Sequence, residues 1–444
     1  MTEMQSGLAG EATDLSTVAV PANARMPRFA LTMAWWSMCS MMFLLIVGAT
    51  LALNYGTRNA LIGMLLSIVA YSLVNRVIAR YAIRTGFSMA LTSQAVFGRT
   101  GAVVATLIFA ATNIYYAVFE SSVVAVAISH LWPAVPYALA ALIVVGYSVP
   151  LVFGSVQNWL DKLNGVLLPF YVAGLIGAIA MATWRYGYHA NWLDFGPATG
   201  APANGWWHCF VYYMGCWAMM MAAFDFARFG REQDVAYHSL INFGAPFWTM
   251  TFLVNGTAGI YLVATIPSGG PLSEISVVFA LLTLMGVWGF AFLWVTQTRI
   301  NTASYLLATL NTHAFFSQAF RLNLPRLVWV ILIGVVVYAL MLSNLFAHLL
   351  LALAYQGVFI VAWVGVVLSH ILLGDVQAEP ASGVVALNRP AAAGGIAGSV
   401  VGLVLMNSEY ASVSAPATFV TAVVVHRLAL AWRQRRAAGT GAEI

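Results

Sequence analysis

Apolar residues come in long blocks along this chain, separated by short polar stretches and by glycine and proline. A helix needs about 20 mostly apolar residues to cross the hydrocarbon core of a bilayer. Blocks of that order fall at 29–53, 59–83, 101–128, 133–154, 160–184, 206–224, 239–265, 276–299, 327–346, 349–373, 384–405 and 411–431. The period-two alternation of barrel strands is not seen, and helices satisfy their own backbone groups where lipid cannot. The pattern predicts an all-α polytopic membrane protein of about twelve transmembrane helices.

Two blocks carry small or polar residues at mid-depth. The first holds Ser37-Met38-Cys39-Ser40 and then Gly48; the sixth holds Gly215-Cys216 ahead of Trp217. Such residues mark either breaks in a helix, which at matching positions of two halves point to a midplane binding site, or close helix packing. The sequence leaves both readings open.

Composition agrees with lipid as the main solvent. Of 444 residues 61% are hydrophobic and 7% charged, against about 25% charged in soluble domains, and the mean hydropathy is +0.86. So few charges cannot cover a surface in water. This excludes a soluble enzyme, a nucleic-acid-binding domain and a disordered scaffold. The formal net charge of +5 is spread along the chain and is no nucleic-acid footprint. It reads instead as orientation. Arg25, Arg28, Arg76, Arg80, Arg84, Arg99, Lys162, Arg228, Arg231, Arg321, Arg326, Arg389, Arg427, Arg433, Arg435 and Arg436 fall on one side of the expected spans. Arg58 and Arg185 fall opposite, and Arg299 lies within a span. Basic residues favour the cytoplasmic side. The expectation is therefore an even number of spans in a bacterial-type cytoplasmic (inner) membrane, with both termini cytoplasmic. Residues 1–27 are polar and lack the basic and apolar regions of a signal peptide; they are expected to form a disordered cytoplasmic tail, with 432–444 as a second. Cys39, Cys209 and Cys216 show no metal spacing and read as small apolar packing residues.

Ionisable groups within lipid are expensive and usually functional. Glu120 lies deep in the third span and Arg299 near the end of the eighth. They either pair with each other or leave Glu120 facing a polar cavity as ligand contact, proton carrier or both. Asn113, Tyr116 and Glu120 are three and four residues apart and share one helical face. An amide, an aromatic ring and a carboxylate on one stripe suit a flat heteroaromatic ligand, whose ring stacks while its edges are bonded. Trp217 offers a second stacking face, or packs. Gln297 and Asn301 also share a face, as ligand contacts or as interhelical glue. The run Asp225-Phe226-Ala227-Arg228-Phe229-Gly230-Arg231 reads as a cytoplasmic loop, either a solvated charge cluster, an inner gate or a turn that holds the sixth helix.

These residues resemble the nucleobase:cation symporter-1 family of cytosine, purine, allantoin and hydantoin permeases. The match is carried by Arg84-Thr85-Gly86 ahead of Phe97-Gly98 and Gly101, by Asn113 to Glu120, by Asp225 to Arg231, by Gly48-Ala49-Thr50-Leu51 and by Gln297 to Tyr305, over about residues 28–430. The resemblance implies the five-plus-five inverted-repeat fold of the sodium-coupled leucine transporter, with repeats at about 28–184 and 206–373 in a core of 28–373. Two further helices follow in 374–431. It implies that Tyr116 and Trp217 stack on the ligand, and that Asn113, Glu120, Gln297 and Asn301 bond its edges. It implies a cation site, possible for sodium, at Ser37, Met41, Val295 and Thr296; the gate at Asp225 and Arg228 is the reading of the charged run itself. The chain departs from the family where Tyr116 replaces a Trp, where Glu120 replaces a Gln, and at Arg299, a guanidinium that disfavours sodium or takes its place. The coupling ion is then H+ or Na+, with no prosthetic cofactor.

The expected function is a symporter importing a nitrogen heterocycle, with the ligand, the coupling cation and the lipid bilayer as partners and no nucleic acid. An amino acid or organic amine carrier of the same fold is the alternative. A membrane enzyme is disfavoured, because no nucleophile elbow, His-Glu-x-x-His motif or dense His and carboxylate cluster lies in the spans. A filter loop or charged ring of a channel is likewise not evident.

Overall fold

A computed structural model describes residues 18–153, 155–343, 348–373 and 385–440. The regular structure of the described residues is helical, apart from one isolated bridge between Met26 and Gly230. The chain is an integral membrane protein. Among the described residues eight helices are long and apolar enough to cross a bilayer, nine when the bent pair Arg28–Ser40 and Met42–Tyr55 is counted as one span. In chain order the helices are α1 (Arg28–Trp36), α2 (Met42–Tyr55), α3 (Thr57–Thr85), α4 (Met89–Leu131), α5 (Tyr137–Leu151), α6 (Ser155–Tyr186), α7 (Gly205–Met214) and α8 (Ala218–Ala227). The mixed helix α9 (Glu232–Thr265) has π turns at His238–Asn242 and Thr249–Val254. Then follow α10 (Ser276–Met285), α11 (Val287–Phe320), α12 (Arg326–Leu342), α13 (Leu349–Leu373), α14 (Arg389–Met406) and α15 (Ser414–Thr440). Helices α5 and α12 are shorter apolar spans. Helix α11 is long but lined with polar residues. With these three the crossings among the described residues number twelve. The architecture is the five-plus-five inverted repeat with α14 and α15 added.

The interruptions sit in the first helix of each repeat. Between α1 and α2 the chain tightens into a 3-10 turn at Ser37–Ser40, then extends at Met41 (φ −69°, ψ 120°), and the two halves meet at a 43° bend. Between α7 and α8, Gly215–Trp217 form a second 3-10 turn. The break reading therefore holds at Ser37–Ser40, and the packing reading holds at Gly48. A Cβ on Gly48 would lie 2.4 Å from the Gly256 Cα, so α2 and α9 cross there backbone against backbone.

Three boundaries differ from expectation. The eighth block, 276–299, is divided at Gly286 (φ 55°, ψ −128°), and α11 runs on to Phe320. Arg299 thus lies in the interior of a 34-residue helix rather than near its end. The polar face of Thr296 to Ser304 is buried against neighbouring helices, which hid the helix from an apolar count. The tail expected over 1–27 ends earlier: Val20 is buried, its N–H donates to Gly86 O at 3.0 Å, and Met26 N–H donates to Phe229 O at 2.8 Å. Residues 1–17 lie outside the described residues. At the other end α15 continues to Thr440, through most of the expected tail; residues 441–444, 344–347 in the ninth block and 374–384 lie outside the described residues.

Gly98 shows why its motif needs glycine. It kinks α4 at φ 79°, ψ 179°, a region essentially closed to other residues. The kink frees backbone groups that segment 385–388 takes up: Arg99 N–H donates to Val385 O at 3.1 Å, Thr100 N–H to Ala386 O at 2.9 Å, and Asn388 N–H to Phe97 O at 3.0 Å. A Cβ at Gly98 would sit 2.7 Å from Val385 O. Gly98→Ala is expected to cost about 1–3 kcal/mol from backbone strain alone. Thermal unfolding in detergent reads this, and an unchanged melting temperature contradicts it.

Candidate functional site

The break in the first span creates the chemistry of the site. A helix end leaves carbonyl oxygens and amides without partners, and inside a membrane they must find some. Ser37 and Ser40 supply the nearest ones. Ser37 Oγ donates to Ala34 O at 2.6 Å and Ser40 Oγ to Ser37 O at 2.8 Å, the local side-chain bonding that favours such turns. The other partners are side chains from distant helices. Asn255 Nδ2 of α9 donates to Cys39 O at 2.7 Å, and Tyr171 OH of α6 donates to Asn255 Oδ1 at 2.8 Å. Gln297 Oε1 of α11 accepts from Met42 N–H at 3.3 Å. Arg299 Nη1 donates to Ser37 O and to Ser40 Oγ, both at 3.0 Å.

Against this break stand α4 and α11. The Tyr116 ring meets Phe43 of α2 edge-on at 5.3 Å, and Phe119 meets the Phe43 ring at 5.0 Å. Glu120 is fully buried and its Oε2 accepts from Ser304 Oγ of α11 at 2.9 Å. Among the described residues nothing bonds its Oε1, and no direct ion pair joins it to Arg299. Gln297 Nε2 is likewise buried with no partner among the described residues.

The remaining expected site residues divide. Asn113 is buried, and its Nδ2 donates back to Phe109 O at 2.7 Å. Asn301 binds Ser121 at 3.0 Å and Ser148 at 3.1 Å, so its amide ties α11 to α4 and α5. That is the interhelical glue allowed for it, and the shared face with Gln297 does not give shared partners. Trp217 meets Tyr71 at 6.2 Å and Phe419 at 5.6 Å, both edge-on, and its Nε1 has no partner among the described residues. Thr296 Oγ1 donates back to Phe292 O at 2.7 Å, and Met41 O accepts from Leu44 N–H at 3.1 Å. Val295 is half-buried on α11.

Asp225 is not in a loop. It lies in the last turn of α8, and its Oδ1 accepts from Met89 N–H at 3.1 Å. A carboxylate at the positive end of α4 is favourable, and this partner lets α8 continue to Ala227. Arg228 follows as the cap, with Nε donating to Asp225 O at 3.3 Å and its guanidinium 4.9 Å from the centre of the Phe229 ring.

Two functional-looking residues do not stand out in the sequence: Asn255, and Gln356 of α13, whose Nε2 approaches Gly215 O of the second 3-10 turn at 3.4 Å. A signal exists for both, since an amide within an apolar block is expensive and needs a partner.

No family model matches the chain, and no curated protein matches its sequence. Solved structures do match its fold. Mhp1 in an inward-facing conformation superposes with a TM-score of 0.74 at 13% identity, covering 95% of each chain. The same nucleobase-cation-symport-1 family transporter, closed with bromovinylhydantoin bound, gives 0.73 at 14% identity over 94% of this chain and 95% of that one. A Na+-coupled sialic acid symporter gives 0.61 at 12% identity over 91% and 90%. The fold is thus that of the leucine-transporter-like symporters.

Proposed function

We propose that the protein is a secondary active transporter of the nucleobase:cation symporter-1 type. It takes up a nitrogen heterocycle (purine, pyrimidine, allantoin, hydantoin or pyrimidine vitamin precursor) with a cation, by alternating access, across a cytoplasmic membrane with both termini inside. The observation that carries this reading is the pair of unpartnered buried atoms Glu120 Oε1 and Gln297 Nε2 on helices facing the break. Buried polar atoms are nearly always bonded. An acceptor on α4, one turn from Tyr116, and a donor on α11 are the two kinds of group that the N–H and C=O edges of a flat heterocycle need. Asn113 and Glu120 flank Tyr116 on α4, Asn301 fixes the α11 face, and Asp225 and Arg228 act at the inner gate. The likeness to a transporter holding bromovinylhydantoin supports the substrate class. One observation favours the second reading, an organic amine or amino acid carrier: a carboxylate oxygen without a partner also suits a cationic ligand.

A thermal-shift panel separates the two. A ligand that binds only the folded state raises its melting temperature. The expected result is a shift with one or more of cytosine, uracil, adenine, guanine, hypoxanthine, allantoin and a hydantoin. Shifts with amines or amino acids alone establish the second reading. In the same assay Tyr116→Ala is expected to weaken binding by about 1–3 kcal/mol, the scale of an aromatic stack on a base; equal affinity removes Tyr116 from the site. Trp217→Ala, which empties the space between Tyr71 and Phe419, is expected to lower the melting temperature of the ligand-free protein.

A further inference from the structure

We infer that the chain carries its own cation at the break of the first span, and that no sodium ion binds there: the Arg299 guanidinium is built into that position. The inference deepens the proposed transport reading by naming what holds the break.

The break makes a cation necessary. The end of α1 and the turn after it point carbonyl oxygens at a dry interior, with the partial negative charge of a helix C-terminus. In transporters with discontinuous helices, unwound carbonyls and half-helix C-termini coordinate Na+ or H+, and one protein of this fold is a Na+-coupled symporter. Here Arg299 meets both functional oxygens of the turn at once, Ser37 O and Ser40 Oγ at 3.0 Å, while all three residues are at least nine-tenths buried. Its planar fork presents several donors in fixed geometry and keeps its charge, so it replaces a bound ion.

Other oxygens of the broken span and of α11 already take part in hydrogen bonds. Met41 O accepts from Leu44 N–H, Cys39 O from Asn255 and Thr296 Oγ1 is turned back onto Phe292 O. Ser40 Oγ donates to Ser37 O and accepts from Arg299. Sodium placed among these atoms would have to displace a guanidinium or sit beside one, and two like charges a few ångströms apart repel strongly where the medium is dry.

The test uses sodium itself and needs no substrate. Purified wild-type protein is titrated with radioactive sodium in a scintillation-proximity assay and melted in sodium chloride and in choline chloride. The expected result is no saturable sodium binding and equal melting temperatures in the two salts. Saturable binding overturns the inference, whatever the heterocycle panel returns. The second arm is Arg299→Ala. It is expected to melt well below wild type and to recover in part when dilute guanidinium is added, whereas wild type does not respond. A variant that melts like wild type overturns the inference. Where Arg299→Ala fails to fold, Arg299→Lys and Ser40→Ala take its place. Each keeps part of the contact and is expected to melt between the two extremes; melting of both at the wild-type temperature again overturns it.

Discussion

Glu120→Gln is expected to abolish uptake driven by an inward proton gradient while leaving the protein folded. The substitution keeps the size of the side chain and the oxygen that accepts from Ser304 Oγ, so the α4–α11 bond survives. It removes the one group in this buried position that can take up a proton. Glu120 is fully buried, and its Oε1 has no partner among the described residues. A carboxylate in that setting is held in place for a purpose or is a large expense without return. On the inference that Arg299 fills the break of the first span, we propose Glu120 as the proton carrier. The measurement is uptake of the heterocycle that shifts melting, by proteoliposomes with and without an imposed pH difference, beside a melting curve of each protein. Wild type should accumulate substrate only with the gradient. In Glu120→Gln the stimulation should vanish and the melting temperature should stay near wild type. Stimulation that persists in the variant removes Glu120 from the coupling step. Loss of stimulation together with a collapsed melting curve assigns it to structure.

Much of the fold is legible in the sequence because lipid imposes coarse rules. Twelve apolar blocks, read against basic residues on one side, place most helices within a few positions. The eighth fails for a physical reason: its buried face is polar, from Thr296 to Ser304, and Gly286 divides the apolar count. The breaks are legible only as alternatives. Small residues at Ser37–Ser40 prove to be a break and Gly48 a packing contact, and composition cannot separate the two because both need a small side chain. The site is legible as residue types but not as partners. Gln297 and Asn301 share a helical face, yet one reaches the Met42 amide and the other Ser121 and Ser148. Arg299 stands out as a charge in lipid; that its guanidinium meets Ser37 O cannot be read across a chain separation of 262 residues. Asp225 looks like a loop residue because its partner, the Met89 amide, lies in another helix.

Gly48 and Gly256 face each other where α2 and α9 cross, and substitutions at the two are expected to differ sharply. A Cβ on Gly48 meets Gly256 backbone: Cα at 2.4 Å, O at 2.9 Å and C at 3.0 Å. Nothing there can rotate away, so the helices must separate. A Cβ on Gly256 meets Met64 Cε at 2.4 Å and Sδ at 2.8 Å, the far end of a flexible side chain, and the Gly48 Cα only at 3.6 Å. Methionine adopts another rotamer at small cost. Overpacking in a rigid core costs about 1–3 kcal/mol or more per added group, so Gly48→Ala belongs at or above the upper end and Gly256→Ala at or below the lower. The consequence reaches the site, because α2 begins at Met42, whose amide Gln297 holds, and carries Phe43 against Tyr116. Displacing α2 from α9 also stretches the Asn255–Cys39 bond, one residue away from Gly256. Gly48→Leu is therefore expected to yield no monodisperse protein on size exclusion. Gly48→Ala should melt far below wild type and lose ligand response, while Gly256→Ala should melt close to wild type and retain it. Equal melting of the two alanine variants would mean that the backbone crossing is not what holds the broken span in place.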